Sequence, residues 1–164
     1  MKDEAFIHKN IEEYIAYVSD VKNLSKNTSL SYNRDLKKLA EFITSLNISS
    51  YELIDEDICS AWIGDLYNKG NNPRSIQRHL SSAKGLFRYL KKNGLISMSP
   101  FDLVTAPKTS SNLPDVLSPE DVEQLLNFKP TSLIEIRDMA IIELMYSSGL
   151  RVSETVGVNI SDFE

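Results

Sequence analysis

Apolar residues in the first two thirds of the chain recur at steps of three and four, the spacing of helices that bury one face. This pattern predicts four helices. They begin near Ile11, after the sequence LSKNTS, after Asp55 and at Asn72, and the last three end near Leu46, at Gly70 and before Gly94. No segment alternates convincingly between apolar and polar residues as a strand would. The pattern therefore predicts an all-α fold.

The predicted buried faces are short apolar stripes, one on each helix. They consist of Ile11, Tyr14, Ile15, Val18 and Val21; of Tyr32, Leu36, Leu39, Phe42, Ile43 and Leu46; of Ile58, Trp62, Ile63 and Leu66; and of Ile76, Leu80, Ala83, Phe87 and Leu90. Four or five helices over about 107 residues can bury a core of their own. We therefore expect a helical bundle as the first domain, residues 1–107.

A sequence rich in proline and serine follows this bundle. SPFDLVTAPKTSSNLPDVLSPEDV contains four prolines, a composition typical of a linker. We assign residues 108–117 to the linker and residues 118–164 to a second domain. Ser118, with Pro119 in the first turn, predicts one helix there, and a capping box of Ser132 and Glu135 predicts another that ends at Gly149.

The longer helix of the second domain is expected to be buried. Its segment MAIIELMY is apolar on nearly every side, which is typical of a helix in the middle of a domain. The fifty or so residues after the linker are too few to enclose such a helix. We therefore expect an unfinished domain and a chain that is part of a longer protein.

Composition narrows the class of protein. The chain is 41% hydrophobic and 25% charged, as in soluble globular proteins, and it shows neither a membrane span nor a signal peptide. We expect a cytoplasmic protein that makes no membrane contact. The single Cys59 is expected in the core beside Trp62, and the two distant histidines, His8 and His79, make a zinc site improbable. No metal or other cofactor is predicted.

Positive charge is concentrated on the fourth helix. The net charge of −5 divides into +2 for residues 1–112 and −7 for residues 113–164. No acidic residue lies between Leu66 and Phe101, where seven lysines and arginines occur. One stripe of the helix contains Arg74, Arg78, Ser81, Gly85, Arg88 and Lys92.

This basic stripe predicts contact with nucleic-acid phosphates, and the small residues in its middle would let a DNA backbone approach closely. The alternative is a solvated charged face. The second helix contributes Lys26, Arg34, Lys37 and Lys38, but Asp35 and Glu41 dilute their charge. The candidate DNA-binding residues are Lys26, Arg34, Arg74, Arg78, Lys84, Arg88 and Lys92.

A second candidate site lies in YSSGLRVSETVGV, residues 146–158. Gly149 predicts a left-handed turn, after which a short helix begins near Leu150 or Arg151. A guanidinium, free backbone N–H groups and a helix N-terminus would together form a phosphate pocket, in which Glu154 holds Arg151 in one rotamer. The alternative is a surface pair of Arg151 and Glu154 that adds little stability.

Four stretches resemble the N-terminal part of tyrosine recombinases, most closely the bacterial Xer-type site-specific recombinases and the phage integrases. They are LSKNTSLSYNRDLKKLAEFI, RSIQRHLSSAKGLFRYLKKNGLISMSPFDLVTAPK, LPDVLSPEDVEQLL and IRDMAIIELMYSSGLRVSETVGVNISDFE. The resemblance implies a SAM-like core-binding domain followed by a catalytic domain that begins near Leu113. In this family the two domains clamp double-stranded DNA, the second and fourth helices face it, and protomers assemble as tetramers on paired sites.

The resemblance also assigns roles to residues. Arg151 matches the first arginine of the catalytic set and would bind the scissile phosphate, and Glu154 matches the acidic residue that accompanies it. The nucleophilic tyrosine forms a 3′-phosphotyrosyl intermediate without ATP or metal, and it is expected downstream together with a lysine and a second arginine. Tyr146 is expected to pack in the core, and this chain alone is expected to be inactive.

Two other functions remain open at this stage. The chain could be a helical DNA-binding module that does not cut DNA, or a protein-interaction domain whose basic stripe binds an acidic partner. Resolution of chromosome dimers and integration of mobile elements are both roles that the resemblance implies.

Overall fold

The computed structural model describes residues 2–105 and 116–162, which contain seven α-helices and no strand. The predicted all-α fold is confirmed. The chain divides into two compact units, Met1–Ser111 and Asn112–Glu164. The predicted end of the first domain at residue 107 and all but two residues of the predicted linker lie outside the described residues, so these boundaries stay predictions.

The first unit contains four long helices: α1 (Lys2–Asp20), α2 (Lys26–Ser45), α3 (Glu56–Asn68) and α4 (Pro73–Lys92). A short 3₁₀ turn, Tyr51–Leu53, precedes α3.

Side chains cap three of these helices. Asp55 accepts a hydrogen bond from the Ile58 N–H at 2.9 Å, and Asn72 accepts one from Ser75 at 2.8 Å, as the sequence predicts. Ser25 caps α2 in the same way, so this helix begins inside LSKNTS, earlier than predicted.

Aromatic rings occupy the centre of the first core. Trp62 on α3 and Phe87 on α4 both pack against Phe101, with ring centroids 5.9 and 4.9 Å apart. All three side chains are fully buried, and Cys59 is buried in the same cluster, as predicted. The predicted stripe of α4 is buried along its whole length. Four amphipathic helices thus enclose this core from several sides.

Two predicted core residues lie outside the core. Val21 and Leu46 are both exposed. Each continues the apolar spacing of its helix, but α1 ends at Asp20 and Leu46 is the C-terminal cap of α2. Beyond a helix end the backbone changes direction, so the helical spacing no longer places a side chain on the buried face.

The second unit contains α5 (Pro119–Leu126), α6 (Leu133–Ser148) and α7 (Val152–Thr155), with a 3₁₀ turn at Ile160–Asp162. The start of α5 after Ser118 and the capping box of Ser132 and Glu135 are confirmed. Hydrogen bonds from the backbone and side chain of Thr131 hold the pKa of Glu135 below its usual range. Gly149 ends α6 with a φ of +64° in the left-handed region, also as predicted.

The helix α6 is open to solvent, as expected for an apolar helix in a region too small to enclose it. None of residues 116–162 is buried, and Tyr146, predicted to pack in a core, is 60% exposed. The two short helices α5 and α7 cannot surround α6, which explains why its all-round apolar sequence remains open to solvent. Among the described residues, no helix is both long enough and apolar enough to cross a membrane.

Candidate nucleic-acid interface and candidate active-site arginine

The basic stripe of α4 lies opposite the buried face of that helix. Arg74, Ser81, Arg88 and Lys92 are all exposed, and Lys84 is half-buried at the edge of the stripe. Arg74 and Lys84 form no ion pair with a described residue. Because the apolar stripe faces the core, the helix presents these cations to solvent, where a phosphate backbone can reach them.

Arg78 differs from the other cations of the stripe, because a buried carboxylate holds it. Its Nε and Nη2 donate to Oδ2 and Oδ1 of Asp35 at 2.7 and 2.9 Å. The side chain of Asp35 is 2% exposed and that of Arg78 is 45% exposed. These hydrogen bonds raise the pKa of Arg78 above its ordinary value. Asp35 therefore ties α2 to α4 and is not the exposed, diluting charge that the sequence suggested.

A histidine lies next to the same carboxylate. Nδ1 of His79 is 3.3 Å from Oδ1 of Asp35 but forms no hydrogen bond, and the imidazole meets the edge of the Trp62 ring at 5.9 Å between centroids. Burial lowers the pKa of His79, although the charge of Asp35 opposes this shift. The uncharged imidazole is thus favoured, and Arg78 is the cation that compensates the buried Asp35.

The small residue in the middle of the stripe has a different role from the one predicted. A Cβ atom at Gly85 would collide with the hydroxyl oxygen of Tyr14 on α1. Tyr14 is buried, its ring lies 5.6 Å from that of Tyr89, and burial raises its pKa to about 12. The missing side chain at Gly85 therefore makes room for α1 of the same chain. It does not by itself indicate close approach of a DNA backbone.

The last two turns of the stripe carry loosely held cations. Nε of Arg88 lies 4.0 Å from Oδ1 of Asp102, and both side chains are largely exposed. Nζ of Lys92 lies 5.7 Å from the centroid of the Tyr17 ring. Exposed ion pairs of this length add little stability, so an incoming phosphate can displace them at small cost.

The second helix offers a shallow cleft that the sequence analysis missed. The cleft is lined by Asn27, Leu30, Ser31, Asn33 and Arg34. Lys26 is exposed in the first turn of α2, and Nη2 of Arg34 donates to Oγ of Ser31 at 3.4 Å.

Amide, guanidinium and aliphatic groups together are the chemistry that reads base edges and thymine methyl groups. The available signal was an exposed, mixed stripe on α2 opposite its apolar one, at positions 27, 30, 31 and 34.

In the second unit, one carboxylate holds Arg151 at two points. Oε2 of Glu154 accepts the backbone N–H of Arg151 at 2.7 Å, and Oε1 accepts from Nη1 at 3.1 Å. The Arg151 side chain is 82% exposed. The backbone N–H of Arg151 is therefore not available to a phosphate, which corrects that part of the predicted pocket. Nε and Nη2 form no hydrogen bond or ion pair with a described residue, so this edge of the guanidinium can bind two oxygens of one anion.

The described residues contain no cluster of three or more His, Cys, Asp or Glu side chains that could hold a metal ion.

Comparison with protein families matches each half of the chain to a family model. Residues 11–94 match the model of the phage integrase N-terminal SAM-like domain. Residues 115–164 match the model of the phage integrase family. The first match contains α2, α3 and α4 with their candidate DNA-binding residues, and the second contains Arg151 and Glu154.

Individual relatives agree with these matches. The chain is 34% identical over 157 residues to tyrosine recombinase XerC of Pseudomonas putida, covering 95% of this chain and 52% of the relative. It is 33% identical over 153 residues to tyrosine recombinase XerD of Staphylococcus aureus, covering 93% and 52%. It is 30% identical over 161 residues to XerC of Roseiflexus castenholzii, covering 96% and 51%. The chain thus spans about half the length of the curated relatives it matches.

Proposed function

We propose that residues 1–107 form a DNA core-binding domain in this chain, which belongs to the phage integrase family of tyrosine recombinases. Residues 108–117 are a linker, and residues 118–164 are the start of a catalytic domain. The two separately matched family models and the two compact units support this division. The longer protein is a site-specific recombinase that cleaves and rejoins DNA strands.

The first unit binds double-stranded DNA through α2 and α4. Arg74, Lys84, Arg88 and Lys92 contact phosphates, and Lys26 and Arg34 do so from α2. Arg78 contributes only the edge of its guanidinium that Asp35 leaves open. The observation that carries this proposal is the exposed stripe of cations on α4, in a region without an acidic residue between Leu66 and Phe101.

Arg151 binds the scissile phosphate. A tyrosine hydroxyl attacks phosphorus, the 5′ oxygen departs, and a 3′-phosphotyrosyl bond conserves the phosphodiester for rejoining. The guanidinium pairs with the nonbridging oxygens and stabilises the charge that develops on them. Glu154 orients the arginine, as its contacts with both the backbone and the guanidinium suggest. The remaining catalytic residues, the nucleophile included, belong to the longer protein.

The partners of the longer protein are duplex DNA and further recombinase protomers on paired sites, in the cytoplasm. Its role is in DNA recombination, either in chromosome partition before cell division or in DNA integration. A module that binds DNA without cutting it, and a domain that binds an acidic protein, are the rival functions to be tested.

Salt-dependent binding tests the DNA interface. Fluorescence anisotropy of a labelled duplex, titrated with this chain at several salt concentrations, should give a slope of log affinity on log salt near −4 to −5, about −0.9 for each of five phosphates. Replacing Arg74 and Arg88 with Gln should reduce the steepness by about 2.

Replacing Lys9 and Lys69 with Gln is the matched control, because both are exposed and lie off the stripe. Equal effects of the two double substitutions would refute the assignment of the face. Absence of duplex binding at low salt would favour a protein partner.

Cleavage tests the role of Arg151. In the longer protein, trapping of the covalent phosphotyrosyl product on a nicked duplex should fall by about 10²–10³-fold for Arg151→Ala, while duplex binding changes little. Glu154→Gln should reduce cleavage less, because the guanidinium remains. Arg137→Ala is the control, an exposed arginine bonded to its neighbour Asp138. Retained cleavage by Arg151→Ala would contradict the proposal, and a longer protein that binds but never cleaves would be the non-catalytic module.

A further inference from the structure

A groove of about 440 Å³ lies in the first unit, between the Tyr51–Leu53 turn, the start of α3 and the loop that follows α4. Its buried lining includes Ile54, Ile96 and Ser99. The groove lies within the range of volumes that proteins use for ligands and for single side chains of peptides. None of the predicted DNA-binding residues lines it.

Charge around the groove is opposite to that of α4. The lining residues Glu52, Asp55, Glu56 and Asp102 are acidic and exposed, and Lys91 is the one cation among them. Asp55 is engaged as the cap of α3, and Asp102 lies 4.0 Å from Arg88. Glu52 and Glu56 form no ion pair with a described residue. Because residues 1–112 are net positive, this acidic rim is a local reversal of the charge around it.

Apolar groups are exposed beside these carboxylates. Met98 and Leu103 line the groove and are largely open to solvent. Exposed apolar side chains at the edge of a groove with charged walls are a feature of protein-binding surfaces. Methionine adapts its flexible side chain to partners of different shape.

A buried hydroxyl group gives an independent indication of a ligand. Ser99 is 6% exposed, and its Oγ has no hydrogen-bond partner among the described residues. Buried polar atoms are nearly always paired, so an unpaired one needs an explanation. Ser99 lines the groove, and a small shift of its enclosed side chain would bring Oγ to the backbone N–H or C=O of an extended peptide.

We propose that this groove binds a short cationic segment of a partner protein, in which lysine or arginine residues flank an aliphatic side chain. The cations pair with Glu52 and Glu56, the aliphatic side chain packs on Met98 and Leu103, and the peptide backbone pairs with Ser99. The acidic rim repels DNA phosphates, so a protein segment and not the duplex is the occupant. This surface meets the proposed DNA interface at the Arg88–Asp102 pair. Its proposed peptide contacts lie outside that interface, so each proposal can fail without the other.

Two labelled peptides of equal charge test the proposal: an alternating Lys–Leu hexapeptide and an alternating Lys–Gly hexapeptide, both with blocked termini. Anisotropy with the full chain at low salt should show at least fivefold tighter binding of the Lys–Leu peptide. The substitutions Glu52→Gln and Glu56→Gln together should weaken it at least tenfold. Glu12→Gln with Glu41→Gln removes the same charge from exposed positions elsewhere in the unit and should change binding less than twofold.

The apolar contribution and the location are tested separately. Met98→Ser with Leu103→Ser should remove the preference for leucine while leaving Lys–Gly binding unchanged. Amide chemical shifts on addition of the Lys–Leu peptide should move at residues 51–56 and 96–103. Any of three results would overturn the proposal. They are an equal loss of peptide affinity in the two glutamate double variants, no preference for the Lys–Leu peptide, and chemical-shift changes concentrated in residues 116–162.

Self-association is the remaining outcome to be measured. Sedimentation of the full chain at low salt should show no dimer whose formation depends on Glu52 and Glu56. If a dimer forms and the double substitution Glu52→Gln with Glu56→Gln dissociates it, the occupant is a second copy of the chain. That result would refute binding of a partner protein. The groove variants should bind duplex DNA with unchanged salt dependence.

Discussion

The two units use similar apolar residues with opposite results. In the first unit, four long helices bury aromatic rings and the carboxylate of an ion pair. In the second, none of residues 116–162 is buried, although α6 is apolar on nearly all sides. An apolar sequence therefore predicts where a chain can be buried, but burial itself requires enough neighbouring elements to surround it. The candidate sites reflect this difference, because a buried carboxylate holds Arg78 and an exposed one holds Arg151.

The largest change in stability is expected when one apolar side chain from each unit is truncated and the two variants are compared. Phe87→Ala should lower the free energy of unfolding by about 3–5 kcal/mol, because a fully buried ring leaves a cavity. Ile136→Ala, at an exposed position of α6, should change it by less than about 0.5 kcal/mol. Urea unfolding followed by fluorescence of Trp62, the single tryptophan, reports on the first unit. Circular dichroism over the same titration reports on the helices of both units. Equal losses would contradict the difference in burial between the two positions.

The next comparison sets the two arginine–carboxylate pairs against each other. Asp35→Asn should cost about 2–4 kcal/mol, somewhat less than the loss of a fully buried pair because Arg78 is half exposed. Glu154→Gln should cost less than about 0.5 kcal/mol, since solvent screens the exposed pair. Thermal unfolding followed by circular dichroism reports the difference. An Asp35→Asn variant as stable as the original chain would show that the pair does not hold α2 to α4.

Glycine substitutions test how closely the first unit is packed. Gly85→Ala should destabilise by about 1–3 kcal/mol, because the added methyl group meets the Tyr14 hydroxyl. Combining it with Tyr14→Phe should restore part of the loss, which a double-mutant cycle measures. Gly64→Ala is the control: no atom lies within 4 Å of the new Cβ, so it should stabilise α3 by about 0.5–1 kcal/mol. A tolerated Gly85→Ala would leave the stripe open to a DNA backbone after all.

The smallest expected effect is a pH dependence between pH 5 and 7 that arises in the first unit, which contains both histidines. The pKa of buried His79 is lowered, so below pH 6.5 the unfolded chain binds a proton that the folded chain does not. Stability is therefore complete above pH 6.5 and declines below it, by at most about 1.4 kcal/mol per pH unit.

His79→Gln should flatten this dependence between pH 5 and 7 in urea titrations, and His8→Gln, at an exposed position, should not. An unchanged slope in His79→Gln would assign the proton to another group.

Much of the local structure could be predicted from the sequence. Asn72 with Pro73, Ser132 with Glu135, and Gly149 all mark helix ends where the structure has them. These signals are reliable because each cap needs only neighbours within about one turn. The position of Arg151 beside Glu154, just before a short helix, follows from the same local rules.

The sequence by itself determined the helices, their caps, the cluster of cations on α4 and the family. Only the tertiary structure decided which of these residues are available to a partner. Asp35 could be recognised as a charge within the apolar spacing of Tyr32, Leu36 and Leu39, but its bond to Arg78 joins residues 43 positions apart. The contact of Tyr14 with Gly85 likewise joins different helices. Local sequence determines backbone conformation within a few residues, whereas contacts between helices depend on packing angles that no single segment contains.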